Sequence, residues 1–135
     1  MPFIEWTDDY NVGIAQIDRE HQQLVEMING LDEAVNRGLG KLALATILDG
    51  MAAYAAHHFR YEEEIFERLG YPDASLHKSE HAFFAQRVQE FRAGLEAGTR
   101  TLSFEVLDFM SRWLTNHIQR SDKKFVPFFQ EHGIQ

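Results

Sequence analysis

From residue 17 to residue 117, apolar side chains recur at steps of three and four, and histidines and acids interrupt them without breaking the step. The first series is Ile17, His21, Leu24, Ile28, Leu31, Val35. The second is Leu44, Ile47, Met51, Tyr54, His58, Glu62, Ile65, Leu69. The third is His77, His81, Phe84, Val88, Phe91, Leu95, and the fourth is Val106, Met110, Trp113, His117. A step of three to four is one helical turn, so each series is a stripe along one face of an α-helix. Breakers separate the stripes: Asn36-Arg37-Gly38-Leu39-Gly40, Gly70-Tyr71-Pro72-Asp73 and Ala97-Gly98-Thr99. The spacing predicts helices over 18–37 (with Asp18 as N-cap), 41–69, 74–96 and 102–120. It leaves an irregular N-terminal arm over 1–16 and a short C-terminal helix after Asp122, its start limited by Pro127. No strand alternation or internal repeat competes. Four amphipathic helices with short connections make an all-α, antiparallel up-down-up-down four-helix bundle, expected as a single domain over 1–135.

Composition removes several function classes. A chain of 135 residues buries about two thirds of its unfolded surface and needs no covalent staples. It has no cysteine, which excludes disulfides, thiolate zinc sites, iron–sulfur clusters and cysteine nucleophiles. The formal charge of −8 is the wrong sign for binding nucleic acid. No apolar run reaches membrane-spanning length, and the start (Met1-Pro2-Phe3-Ile4-Glu5-Trp6) lacks the features of a secretory signal. The cytoplasm is the expected compartment.

The polar members of the stripes carry the chemistry. His21, His58, Glu62, His77, His81 and His117 stand in phase with Leu, Ile and Phe. One histidine on an apolar face is ordinarily a satisfied core residue. Six such groups are different. Each unpaired buried polar group costs about 1–3 kcal/mol, against a whole-domain stability of about 5–15 kcal/mol. A metal centre compensates them. Two pairs at i, i+4, His58/Glu62 and His77/His81, are the spacing with which one helix face grips a metal. His57 lies about 100° around the helix from His58 and reads as peripheral. Glu63 and Glu64 point off the stripe and read as solvated surface, and His132 reads as an exposed tail residue. Asp122 follows His117 by five residues, about 140° away in a regular helix. It joins the site only if the helix ends or bulges near Ser121, and spacing alone leaves this open.

Four segments together resemble a known family, the hemerythrins, and the bacterial hemerythrins in particular. They are Gly13-Ile14-Ala15-Gln16-Ile17-Asp18-Arg19-Glu20-His21, His58-Phe59-Arg60-Tyr61-Glu62-Glu63, His77-Lys78-Ser79-Glu80-His81, and Trp113-Leu114-Thr115-Asn116-His117-Ile118 with Asp122. The resemblance runs from about Trp6 to about Phe129 and brings Asp122 into the ligand set. It implies two non-haem iron ions bridged by Glu62, Asp122 and an oxo or hydroxo group, with His77, His81 and His117 on one iron and His21 and His58 on the other. Two octahedral ions take about twelve bonds. Five imidazoles, two bridging carboxylates and one bridging oxygen leave one position, on the iron with two histidines, for O2. Such a pocket has to be dry, and Ile118, Leu114, Trp113, Leu24, Ile28 and Phe59 are the candidates for its wall.

The expected function is therefore reversible O2 binding for carriage, storage or delivery, with an oxygen-consuming enzyme as the partner that delivery would require. The alternative is an oxygen or iron sensor, or an enzyme with peroxidase or nitric-oxide-handling activity, on the same centre. Ferritin-like oxidases use Glu-x-x-His, and no Glu here has His three positions later. His-Glu-x-x-His is absent, and seven ligands exceed one tetrahedral zinc. A phosphotransfer histidine has to be exposed, whereas these lie on the inward stripes.

Overall fold

The computed structural model describes residues 3–98 and 104–134. Helix α1 spans Ala15–Asn36, α2 Lys41–Leu69, α3 Ala74–Ala97 and α4 Phe104–Asn116. A π-helical segment, His117–Asp122, continues α4 without a break into α5, Lys123–Glu131. Among the described residues there is no strand. Short turns join α1 to α2 and α2 to α3, which forces antiparallel packing of neighbours, and α4 closes the ring by packing on α1 and α3. The result is the up-down-up-down bundle. The expected start of the fourth helix at Leu102 lies outside the described residues.

Helix ends follow local chemistry. Gly70 takes the left-handed conformation at φ 71°; its N–H and that of Tyr71 both donate to the Phe66 carbonyl, closing α2. Asp18 is not the N-cap of α1. The helix begins three residues earlier, at Ala15, with Ile14 at the cap position. The Asp18 carboxylate instead accepts from the Val12 amide at 2.8 Å and the Gly13 amide at 3.2 Å. The anion still serves free amides at a helix N-terminus, but they belong to the arm. Asn29 holds the arm further out, accepting from the Ile4 N–H at 2.7 Å and donating to the Ile4 carbonyl at 2.8 Å.

The third stripe is buried as expected, residue for residue. The second is displaced: Leu48, Ala55, Phe59 and Phe66 are buried, while Ile47, Tyr54 and Leu69 are only half-buried. Helix α2 packs against both α1 and α3, so it buries a face wider than one stripe. On α4, Leu114 is buried and Trp113 half-buried. Pro127 lies inside α5 rather than at its start. Because chain direction alternates, the candidate ligands form one polar layer across the bundle. Leu24, Ile28, Met51, Val88, Met110 and Leu114 fill the core on one side of it; Ile14, Ile17, Ile65, Phe66, Phe125 and Phe129 fill the other. No helix among the described residues is long and apolar enough to cross a membrane.

Candidate metal centre

All seven expected ligand residues are buried, none more than 4% exposed. Helix α1 supplies His21, α2 His58 and Glu62, α3 His77 and His81, and the π segment His117 and Asp122. The π segment resolves the spacing problem at Asp122. Widening the turn from i→i+4 to i→i+5 brings residue 122 under residue 117, and Asp122 Oδ1 lies 3.1 Å from His117 Nε2.

The side chains form two groups. One contains Glu62, His77, His81, His117 and Asp122; the other contains His21, His58, Glu62 and Asp122. Both carboxylates are shared, and each turns a different oxygen to each group. Glu62 Oε1 faces His77 at 3.4 Å and His81 at 3.3 Å, while Oε2 faces His58 at 2.9 Å and His21 at 3.7 Å. Asp122 Oδ1 faces His77 at 2.9 Å, and Oδ2 faces His21 at 3.0 Å.

These contacts are short but do not align as hydrogen bonds. The Nε2 atoms of His21, His58 and His77 and all four carboxylate oxygens are buried with no hydrogen-bond partner. They point at common centres rather than at one another. Two donors about 2.1 Å from an ion stand about 3.0 Å apart at an octahedral corner and about 3.4 Å apart at a tetrahedral one. Several separations match the octahedral value, including 3.0 Å between His81 Nε2 and His117 Nε2. Hard carboxylates, borderline imidazoles and this spacing fit a non-haem metal site.

A second ring of carboxylates holds the imidazoles from behind. His58 Nδ1 donates to Glu20 at 2.7 Å, and His81 Nδ1 donates to Glu63 at 2.8 Å. His117 Nδ1 lies 3.5 Å from Glu80, which also accepts from the Ser121 hydroxyl at 2.6 Å. Each acid reaches from one helix to a histidine on the next: α1 to α2, α2 to α3, α3 to the π segment. Such partners fix the tautomer and aim of a metal-binding imidazole. Glu63 is therefore half-buried and engaged, not solvated surface. Glu20 and Glu80 were missed, yet a signal exists. Each of the three acids directly adjoins an inward-facing ligand in sequence (Glu20-His21, Glu62-Glu63, Glu80-His81), and a residue about 100° off the inward stripe points at the neighbouring helix. Glu64 and His132 are exposed, as expected. His57 is also exposed, with its Nε2 3.6 Å from Glu20.

The electrostatics are strongly coupled. Burial opposes a charge on His58, but Glu62 and the hydrogen bond to Glu20 outweigh it and raise the pKa to about 10. His117 is raised to about 10 against burial, chiefly by Asp122. Glu62 is held well below the usual carboxylate range, burial being overcome first by His58. Glu80 falls to about 2 through its contact with His117. Glu20, Glu62, Glu80 and Asp122 thus favour the ionised form, and without a metal His21, His58, His77 and His117 are biased toward holding protons in its place.

Of the six expected wall residues, Ile118, Leu114, Leu24, Ile28 and Phe59 are buried and Trp113 half-buried. The Trp113 ring lies flat on His117 at 4.5 Å, and the Phe59 ring lies flat on His81 at 4.0 Å. Both rings therefore cover the group with three histidines.

Comparison with known proteins places the sequence and the fold. The family model for the Hemerythrin HHE cation binding domain matches residues 12–129. A bacteriohemerythrin of Stenotrophomonas maltophilia is 36% identical over 132 residues, covering 98% of this chain and 85% of that protein. One from Pseudomonas aeruginosa is 38% identical over 126 residues, covering 93% and 81%. A wild-type hemerythrin crystal structure superposes with a TM-score of 0.85 at 27% identity, covering 93% of this chain and 96% of that one. Family match, fold and a buried cluster of histidines and acids coincide: the chain belongs to the hemerythrin family.

Proposed function

We propose that this protein binds O2 reversibly at a non-haem di-iron centre held by His21, His58, Glu62, His77, His81, His117 and Asp122. The observation that supports this best is the inequality of the two groups: five residues converge on one centre and four on the other, with both carboxylates common. An iron pair so held supplies two electrons to a diatomic ligand and recovers them on release. The rest falls to the chain. Glu62 and Asp122 span the two centres and fix their separation. Glu20, Glu63 and Glu80 hold His58, His81 and His117 in aim. Leu24, Ile28, Leu114 and Ile118 exclude the water and protons that would make oxidation irreversible.

The test is aerobic purification with metal analysis, followed by absorption spectra cycled between argon and O2. Two irons per chain and bands that change reversibly are expected. One zinc per chain without such bands would end the proposal. Kinetics on the reduced protein separate its uses. Slow autoxidation fits a carrier or store; rapid oxidation with peroxide release or nitric oxide turnover fits a sensor or enzyme.

A further inference from the structure

We infer that a small apolar cavity between α2 and α3 is the chamber through which a diatomic gas reaches the centre, with Phe59 as its inner door. The gas is O2 under the function proposed above, on which this inference rests. The cavity has a volume of about 100 Å³, far below the ~300–1,000 Å³ typical of pockets for organic ligands. Its floor is Ala55, Phe59, Phe84 and Val88, all buried; its mouth lies at Ala52 and the exposed Ala56, Ala85 and Gln89. The space exists because alanines stand where larger side chains would fill the helix interface. A water held in such a space needs two to four polar partners; Gln89 stands only at the mouth, and the inner floor of Ala55, Phe59, Phe84 and Val88 offers none, the kind of wall that takes up apolar gases.

The position of the floor makes the cavity relevant to the centre. The Phe59 ring stacks on His81 at 4.0 Å and stands edge-on to Phe84 at 6.0 Å. Its centroid is 5.8 Å from that of His58. One aromatic ring thus separates the chamber from an imidazole of each group. Turning that ring aside would open the chamber toward the ligand layer.

The experiment uses xenon under pressure on the iron-loaded protein, located by diffraction, and O2 association and dissociation rates for the parent, Ala56→Trp and Phe59→Ala. Xenon is expected between Ala55, Phe59, Phe84 and Val88. Ala56→Trp caps an exposed mouth, so folding is spared, and both rates should fall at least about fivefold with their ratio unchanged, since a plug alters the path and not the bound state. Phe59→Ala should raise both. Xenon seated elsewhere or nowhere, or parental rates in Ala56→Trp, would overturn the inference. If the iron-loaded protein binds no O2, the proposed function fails, and the xenon position alone decides whether the chamber admits gas.

Discussion

Glu62→Gln tests the shared corner of the centre with the smallest change of shape. Glu62 is fully buried and touches four imidazoles: His58 at 2.9 Å, His81 at 3.3 Å, His77 at 3.4 Å and His21 at 3.7 Å. An amide fills the same volume but offers one acceptor where two are needed, so one of the two groups loses a donor. Removing one partner of a buried ion pair costs about 3–5 kcal/mol. That is a large share of a domain stability of about 5–15 kcal/mol, and at about 2–8 °C per kcal/mol it lowers the melting temperature by roughly 6 °C or more. The pH dependence of the metal-free protein carries the sign. His58 is raised from 6.5 to about 10, so its contribution is fully present below pH 6.5 and is lost as pH rises through about 10. Glu62 is lowered from 4.5, so its contribution is present above pH 4.5 and is lost as pH falls toward its folded value. The gap between parent and variant is thus widest from about pH 4.5 to 6.5 and closes above about pH 10. Melting curves with and without chelator and iron analysis measure all of this. A variant that keeps two irons and melts within about 2 °C of the parent at pH 6 would refute the reasoning.

Three further outcomes are expected. Glu20→Gln removes the anion behind His58 while keeping an acceptor, and should weaken iron binding about 10–100-fold; unchanged affinity in a chelator competition would show that Glu20 does not hold that imidazole. Ile118→Ser places a hydroxyl on a fully buried wall and should speed autoxidation, read as the rate at which the O2-dependent absorption is lost; a parental rate would remove Ile118 from the wall. Deleting exposed Gln119 should convert the π segment to α-helix with two irons retained, because i, i+4 spacing leaves His117 and the acid now numbered 122 only about 40° apart; loss of iron would show that the wide turn itself is required.

Six of the seven candidate ligands were legible because α-helical phase alone brings them inward. His21, His58, Glu62, His77, His81 and His117 sit in step with buried Leu, Ile and Phe, and a step of three or four does not depend on tertiary detail. The displaced stripe on α2 shows where that logic weakens. A helix with neighbours on two sides buries both Phe59 and His58, and periodicity cannot say which flank of a stripe the second neighbour will cover. The same limit hid Glu20 and Glu80, whose role depends on the adjacent helix and not on their own.

Asp122 marks a different boundary. Its inward position requires a backbone irregularity, and nothing in His117-Ile118-Gln119-Arg120-Ser121-Asp122 compels a π turn over an α turn. The compulsion comes from packing further along. Phe125 and Phe129 are fully buried in α5, against Phe66 at ring distances of 5.5 and 5.7 Å. His117 is fixed about two to three turns earlier in the same continuous helix by Trp113 and Glu80. A straight α-helix from 117 would rotate Asp122, Phe125 and Phe129 together by about 100° away from these partners. One widened turn restores all three, so the aromatic anchor of α5 and the acid of the centre stabilise the same irregularity. On this reading the π segment costs the helix some hydrogen-bond regularity and is held by burial on both sides, which is why it forms where the site needs it.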